Sequence, residues 1–103
     1  MPSQTHIQIG RFETPHASKY LQQLCKHFAH KVEVECTPTE GRAALPPGPA
    51  TLEATETGLT VRLSAKDDAG MGHARAIIDL HLKKFAFREN FEEMNWEPMV
   101  AVA

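Results

Sequence analysis

Apolar residues along this chain recur with two different periods, and the switches between those periods delimit its elements. From Thr5 to Phe12 the isoleucines Ile7 and Ile9 alternate with Gln8, which predicts a first strand. Thr14 followed by Pro15 is a helix-start signal, a capping hydroxyl ahead of a proline whose fixed φ suits the first helical turn. At ~100° per residue, Ala17, Tyr20, Leu21, Leu24, Cys25 and Phe28 then fall on one arc, and the first helix is predicted to run to about His30. His16, Gln23, His27 and His30 form a row flanking that arc.

From Val32 the period becomes two, with Val32, Val34 and Cys36 alternating against Glu33 and Glu35 as in a strand wetted on one face. Residues 37–41 read as a turn, 42–45 as a short pairing segment, and Pro46-Pro47-Gly48-Pro49 as a stiff loop unfit for a central strand. Residues 51–55 and 59–65 alternate on either side of Glu56-Thr57-Gly58 and predict a hairpin. Asp67 and Asp68 can cap a second helix carrying Met71, Ala74, Ile77, Ile78, His81, Leu82 and Phe85 on its apolar side. Arg75, Asp79 and Lys83 are expected on its solvated side.

After Arg88 the pattern dissolves. Phe91, Met94 and Trp96 are expected to lie on the core as an irregular or short extended segment, and 98–103 to be a frayed tail. The order strand, helix, several strands, helix predicts an α+β two-layer sandwich: an antiparallel sheet of four or five strands with both helices on one face. Leu21, Leu24, Phe28, Ile77, Ile78, Val34, Val61 and Leu63 are the predicted core. The 103 residues suit a single domain.

Composition narrows the function classes. An apolar fraction of 42% with 23% charged residues is that of an ordinary globular protein. The net charge is −2 with no basic stripe, which argues against nucleic acid as a partner. No apolar run approaches the ~18 residues of a membrane span and no leader pattern opens the chain, so the expectation is a cytoplasmic protein, monomer or homodimer, without membrane association. Two cysteines, Cys25 and Cys36, are too few for a disulfide framework, and both are expected as reduced, core-facing thiols.

The candidate chemistry is mostly imidazole. Cys25-x-His27-x-x-His30 resembles a metal motif, but on a helix Cys25 points ~160° away from His27, and zinc ligands must converge within ~2.3 Å. His27 and His30 can still share a metal or ligand with each other, or His27 with Gln23 or Tyr20; the alternative is a solvated helix edge favoured by the macrodipole. His81 lies at the centre of the second helix's apolar arc, so it is either a core histidine bonded to a strand carbonyl or to the Tyr20 hydroxyl, or a pocket histidine acting as ligand or base. Arg88 lies near the same arc, to be paired with Glu89 or Glu92 or to bind an anion. No glycine-rich phosphate loop, Gly-x-Ser-x-Gly elbow or His-Glu-x-x-His is present, so no complete catalytic signature supports an enzyme.

The strings YLQQLCKHFAHK and HLKKFAFRE, with Arg11, Phe12, Thr14, Pro15, Gly41 and Arg42, carry a whole-chain resemblance to a bacterial domain of unknown function, number twenty-two eighteen. The chain departs from that pattern at 69–72, where two glycines replace better helix formers and weaken the start of the second helix. The resemblance implies little about activity. Some members are labelled an aldolase of aromatic-acid catabolism, which would require a large barrel that this length does not allow, and related domains are joined to siderophore-interacting flavin reductases. The expected function is therefore binding of a small molecule or metal chelate, with a siderophore link, in a pocket lined by Tyr20, His27, His81 and Arg88, with His27, His30 and His81 as metal candidates. No cofactor is specified. A protein-interaction or self-association module using an exposed sheet face or edge strand is the alternative, and a small enzyme with His81 as general base the third.

Overall fold

A computed structural model describes residues 5–89 and 91–102. Strict alternation builds the sheet. In β3 (Glu40–Leu45), β4 (Gly48–Ala54) and β5 (Gly58–Ala65), Leu45, Leu52, Leu59, Val61 and Leu63 point to one face, and Arg42, Thr51, Glu53 and Arg62 to the other. β1 (Thr5–Glu13) pairs antiparallel with β5, and β2 (Val34–Cys36) with β3. Two short C-terminal strands, β6 (Asn95–Trp96) and β7 (Val100–Val102), pair with successive stretches of β1. The described residues thus form a seven-stranded sheet ordered β2-β3-β4-β5-β1-β6, with β7 also on β1.

Both helices, α1 (Ala17–Phe28) and α2 (Asp68–Phe85), cover the apolar face, giving the expected α+β sandwich. Leu21, Leu24, Phe28, Ile78, Val61 and Leu63 are buried as predicted, and Val34 and Ile77 pack half-buried against them. Asp67 caps α2 by accepting from the Gly70 N–H at 2.7 Å, so the helix starts despite its two early glycines. α1 begins later than expected. Thr14 accepts from the His16 N–H at 3.1 Å in a lead-in turn, and His16 at the N-cap supplies no side-chain bond.

The sheet exceeds the expected four or five strands because the C-terminal segment is not frayed: Val100–Val102 pairs with Thr5, His6 and Ile7 and covers an edge of β1 that would otherwise expose unpaired backbone groups. Ala103 lies outside the described residues. The proline-rich loop is a two-residue turn, Pro46-Pro47, closed by the pair Leu45 and Gly48; Gly48 and Pro49 start β4 ahead of its ladder with β5, which begins at Ala50. Cys36 lies on the helix-covered side of the sheet, opposite Gly41, but is exposed rather than buried because it sits on the short edge strand β2.

β1 turns its polar position, not its isoleucines, to the helices. Gln8 points to the helices and is buried, while Ile7 and Ile9 are half-buried on the open face. Burial of the amide is compensated: its oxygen accepts from Arg75 and its Nε2 donates to the Glu97 carbonyl at 2.6 Å.

Asp79, expected in solvent, is likewise engaged. One carboxylate oxygen accepts from the Met94 N–H at 3.0 Å and the other from the Trp96 indole at 2.9 Å, tying the C-terminal segment to α2. Asp79→Ala should leave two half-buried donors unpaired and cost about 1–3 kcal/mol. Trp96 is the sole tryptophan, so its emission reports the tie directly: a red shift under native conditions is expected, and an unchanged spectrum would contradict the tethering role.

Candidate functional site

The end of α1, the residues just after it, the β3–β4 turn and the middle of α2 surround a hollow of about 230 Å³. Phe28, Val32, Leu45, Pro46 and Ile77 make its walls apolar, with His27, His81 and Lys31 as its polar groups. Local structure places each of these. The Val32 N–H donates to the Phe28 carbonyl at 2.9 Å, folding the chain back under the helix end, and the Pro46-Pro47 turn brings Leu45 and Pro46 up from the sheet.

The two imidazoles that sequence placed on separate helices meet here. The ring centroids of His27 and His81 are 4.6 Å apart at an interplanar angle of 65°, and Phe28 lies edge-on to His81 at 5.1 Å. His81 bonds neither a strand carbonyl nor Tyr20. Its Nδ1 lies 2.6 Å from the Ile77 carbonyl oxygen of its own helix. A carbonyl oxygen only accepts, so in the neutral ring this bond assigns the proton to Nδ1 and leaves the lone pair on Nε2. Burial, followed by the charges of His81, His30, Lys84 and Lys31, lowers the pKa of His27 and favours its neutral form.

Tyr20, His30 and Arg88 do not join the lining. Tyr20 is buried with its ring stacked on Phe12 at 6.0 Å, and its hydroxyl donates to Glu89. Burial, and then Glu89, push that hydroxyl up to about 12. Arg88 sits in a short 3₁₀ turn (Phe87–Glu89), exposed and 5.7 Å from the centre of the Phe87 ring, with no carboxylate partner among the described residues. The His30 ring is 6.4 Å from that of His27 on the exposed side of the helix end. Among the described residues no group of three or more His, Cys, Asp or Glu side chains converges to hold a metal, so the set His27, His30 and His81 does not form a three-ligand site. Sequence reasoning missed Lys31, Val32, Leu45 and Pro46; the proline pair was the available signal, since a tight turn there must fold back over a neighbouring element.

A wider concavity of about 550 Å³ lies on the uncovered sheet face. Arg42 and Arg62 flank Thr51 there, one on each neighbouring strand, with Glu35, Glu40 and Glu53 nearby. It is shallow and lined by charges of both signs, whereas the smaller hollow combines apolar walls with converging imidazoles, the usual arrangement of a small-molecule site. No helix of the described residues is long and apolar enough to cross a membrane.

Comparison with known proteins places this architecture in a lineage. The NMR structure of PA4090 from Pseudomonas aeruginosa superposes with a TM-score of 0.74 at 29% identity, covering 89% of this chain and 95% of that one. No curated protein matches. The sequence profile of the uncharacterized proteins conserved in bacteria, DUF2218, matches residues 10–97, from β1 through β6 and including both helices that carry the imidazoles, and the chain belongs to that family.

Proposed function

We propose that this protein is a binding domain for a small, largely aromatic molecule or its metal chelate, held in the hollow between α1, α2 and the β3–β4 turn. The observation carrying the reading is the His27–His81 pair, two imidazoles 4.6 Å apart over an apolar floor, one with its coordinating Nε2 lone pair assigned. About 230 Å³ is slightly below the range typical of ligand pockets. It admits a single ring, such as an aromatic acid or one arm of a siderophore, rather than a whole chelate. Apolar walls would take the ring, Lys31 an acidic group, and the imidazoles a metal that the ligand also coordinates. With only two protein ligands, the remaining coordination positions belong to the bound molecule. No hydroxyl, thiol or carboxylate side chain accompanies the imidazoles in the lining, which favours binding over catalysis.

The test is a thermal-shift titration with Co²⁺, Ni²⁺, Zn²⁺, iron chelates and aromatic acids on the wild type, His27→Ala and His81→Gln. At a hundredfold excess over Kd, a ligand of the folded state adds about 2.7 kcal/mol, or roughly 10 °C or more in Tm for a domain of this size. The expected result is a rise lost in either variant. Weak and identical responses in all three proteins would refute the proposal.

The pH dependence has a definite sign. The folded pKa of His27 lies below its ordinary 6.5, so the unfolded chain binds more protons, and the associated stability is present above 6.5 and lost as pH falls through the lowered value. Only neutral imidazole coordinates, so the metal response should be larger at about pH 8 than at about pH 6. Equal responses at both would remove imidazole coordination.

The uncovered sheet face favours a second reading, an interaction module. Neither Arg42 nor Arg62 forms an ion pair among the described residues, which leaves two guanidinium groups available to an acidic partner.

A further inference from the structure

The two cysteines lie outside the lining of the hollow, yet the fold brings them side by side. Cys36 of β2 is paired directly with Gly41 of β3. Opposed residues of an antiparallel pair present their side chains to the same face, with Cβ atoms about 4.5–5.5 Å apart. For Gly41 that face is the one under α1, because a Cβ there would lie 2.6 Å from the sulfur of Cys25. The Cys25 thiol therefore fills the side-chain space that Gly41 leaves vacant, immediately next to Cys36.

The pair is asymmetric. Cys25 is buried and Cys36 is exposed. Burial, followed by the neighbouring Cys36, pushes the Cys25 thiol up to about 12. Cys36 is thus the thiol that solutes reach, and Cys25 the one held in reserve behind it.

We infer that Cys25 and Cys36 are a redox-active dithiol that closes to an intramolecular disulfide, joining α1 to the edge strand β2, on reaction with a low-molecular-weight disulfide. In the first step the Cys36 thiolate attacks one sulfur of the oxidant, forming a mixed disulfide and expelling one thiolate. In the second, the Cys25 sulfur attacks Cys36 Sγ and its proton passes to the second departing thiolate. The Cys25–Cys36 bond forms, the protein loses two electrons and two protons, and the oxidant leaves as two thiols. The ring so closed contains His27, Phe28, Lys31 and Val32, which line the hollow, so oxidation fastens one wall of that site to the sheet. The thiol chemistry does not depend on what the hollow binds.

The test needs no ligand for the hollow. The reduced full chain is incubated anaerobically with glutathione disulfide, quenched with iodoacetamide and read by intact mass and non-reducing peptide mapping. Expected for the wild type is a loss of two hydrogens with neither alkylation nor retained glutathione, and a peptide cross-link between Cys25 and Cys36. Cys25→Ser should stop at one glutathione on Cys36, since no second thiol displaces it. Cys36→Ser, with only the buried thiol left, should take up none while folded by circular dichroism. A wild type that retains glutathione on Cys36 with Cys25 free, or that stays fully reduced while a thiol peptide control is oxidised, would overturn the inference. If either serine variant fails to fold, the wild-type mass and map decide alone.

Discussion

Phe28→Ala should lower the unfolding free energy by about 3–5 kcal/mol, and nearer the lower figure. Phe28 is only 5% exposed, on the arc of α1 that meets the sheet, and its ring packs edge-on to His81 at 5.1 Å. Truncation removes that burial and leaves a cavity, but the cavity merges with the hollow that Phe28 already borders, so fewer packed neighbours lose a partner than at an enclosed site. A loss of that size is a large share of the ~5–15 kcal/mol typical of a whole domain. Lys26→Ala, two residues earlier on the exposed side of the same helix, is the control and should change stability by less than ~0.5 kcal/mol. Urea unfolding followed by circular dichroism should show the Phe28 variant with a lowered midpoint at an unchanged slope. Equal midpoints for the two variants would mean that α1 presents a different face to the sheet.

Where side chains answer to a local period, sequence was a sufficient guide. The buried arcs of both helices and the β4–β5 hairpin follow from spacing alone, and so does the meeting of His27 with His81, since each lies where two neighbouring helices face one another. What could not be read depends on partners far along the chain. Gln8 is turned inward because Arg75 and the Glu97 carbonyl, 67 and 89 residues away, satisfy its amide. Without them the same alternation is read in the opposite phase. Asp79 shares an exposed-looking spacing with Arg75 and Lys83, yet is claimed by the Met94 N–H and the Trp96 indole.

Arg88 and Tyr20 were misplaced for a different reason. Extrapolating the α2 arc past Phe85 assumed a helix that ends there, at a cap residue, Ala86, with φ −106° and ψ 27°, and the following 3₁₀ turn swings Arg88 into solvent. The same turn carries Glu89 onto the Tyr20 hydroxyl and so removes both residues from the proposed pocket. Helix ends are decided by tertiary contacts more than by periodicity, and site residues extrapolated across them carry that error with them.

Gly48→Ala should be the costliest single methyl group in the molecule, at about 3 kcal/mol or more. Gly48 has φ +157°, a conformation that other residues rarely adopt, and a Cβ on it would lie 2.0 Å from the Ser64 carbonyl oxygen and 2.8 Å from its carbon. The obstacle is backbone of the neighbouring strand, which cannot swing aside as a side chain would. Relief requires the start of β4 to move off β5 or the Pro46-Pro47 turn to open, and Leu45–Gly48 is the pair that closes that turn. Gly72→Ala in α2 is the informative contrast. The nearest atom to its added methyl is the end of the Arg75 side chain at 3.7 Å, so removing a glycine from a helix should there stabilise by about 0.5–1 kcal/mol. Opposite signs for the same chemical change are expected in thermal and urea unfolding, and a Gly48→Ala protein within ~0.5 kcal/mol of wild type would refute the turn geometry. The consequence reaches the hollow as well: the turn that needs Gly48 carries Leu45 and Pro46, so the variant should lose part of any ligand-induced rise in Tm even where it remains folded.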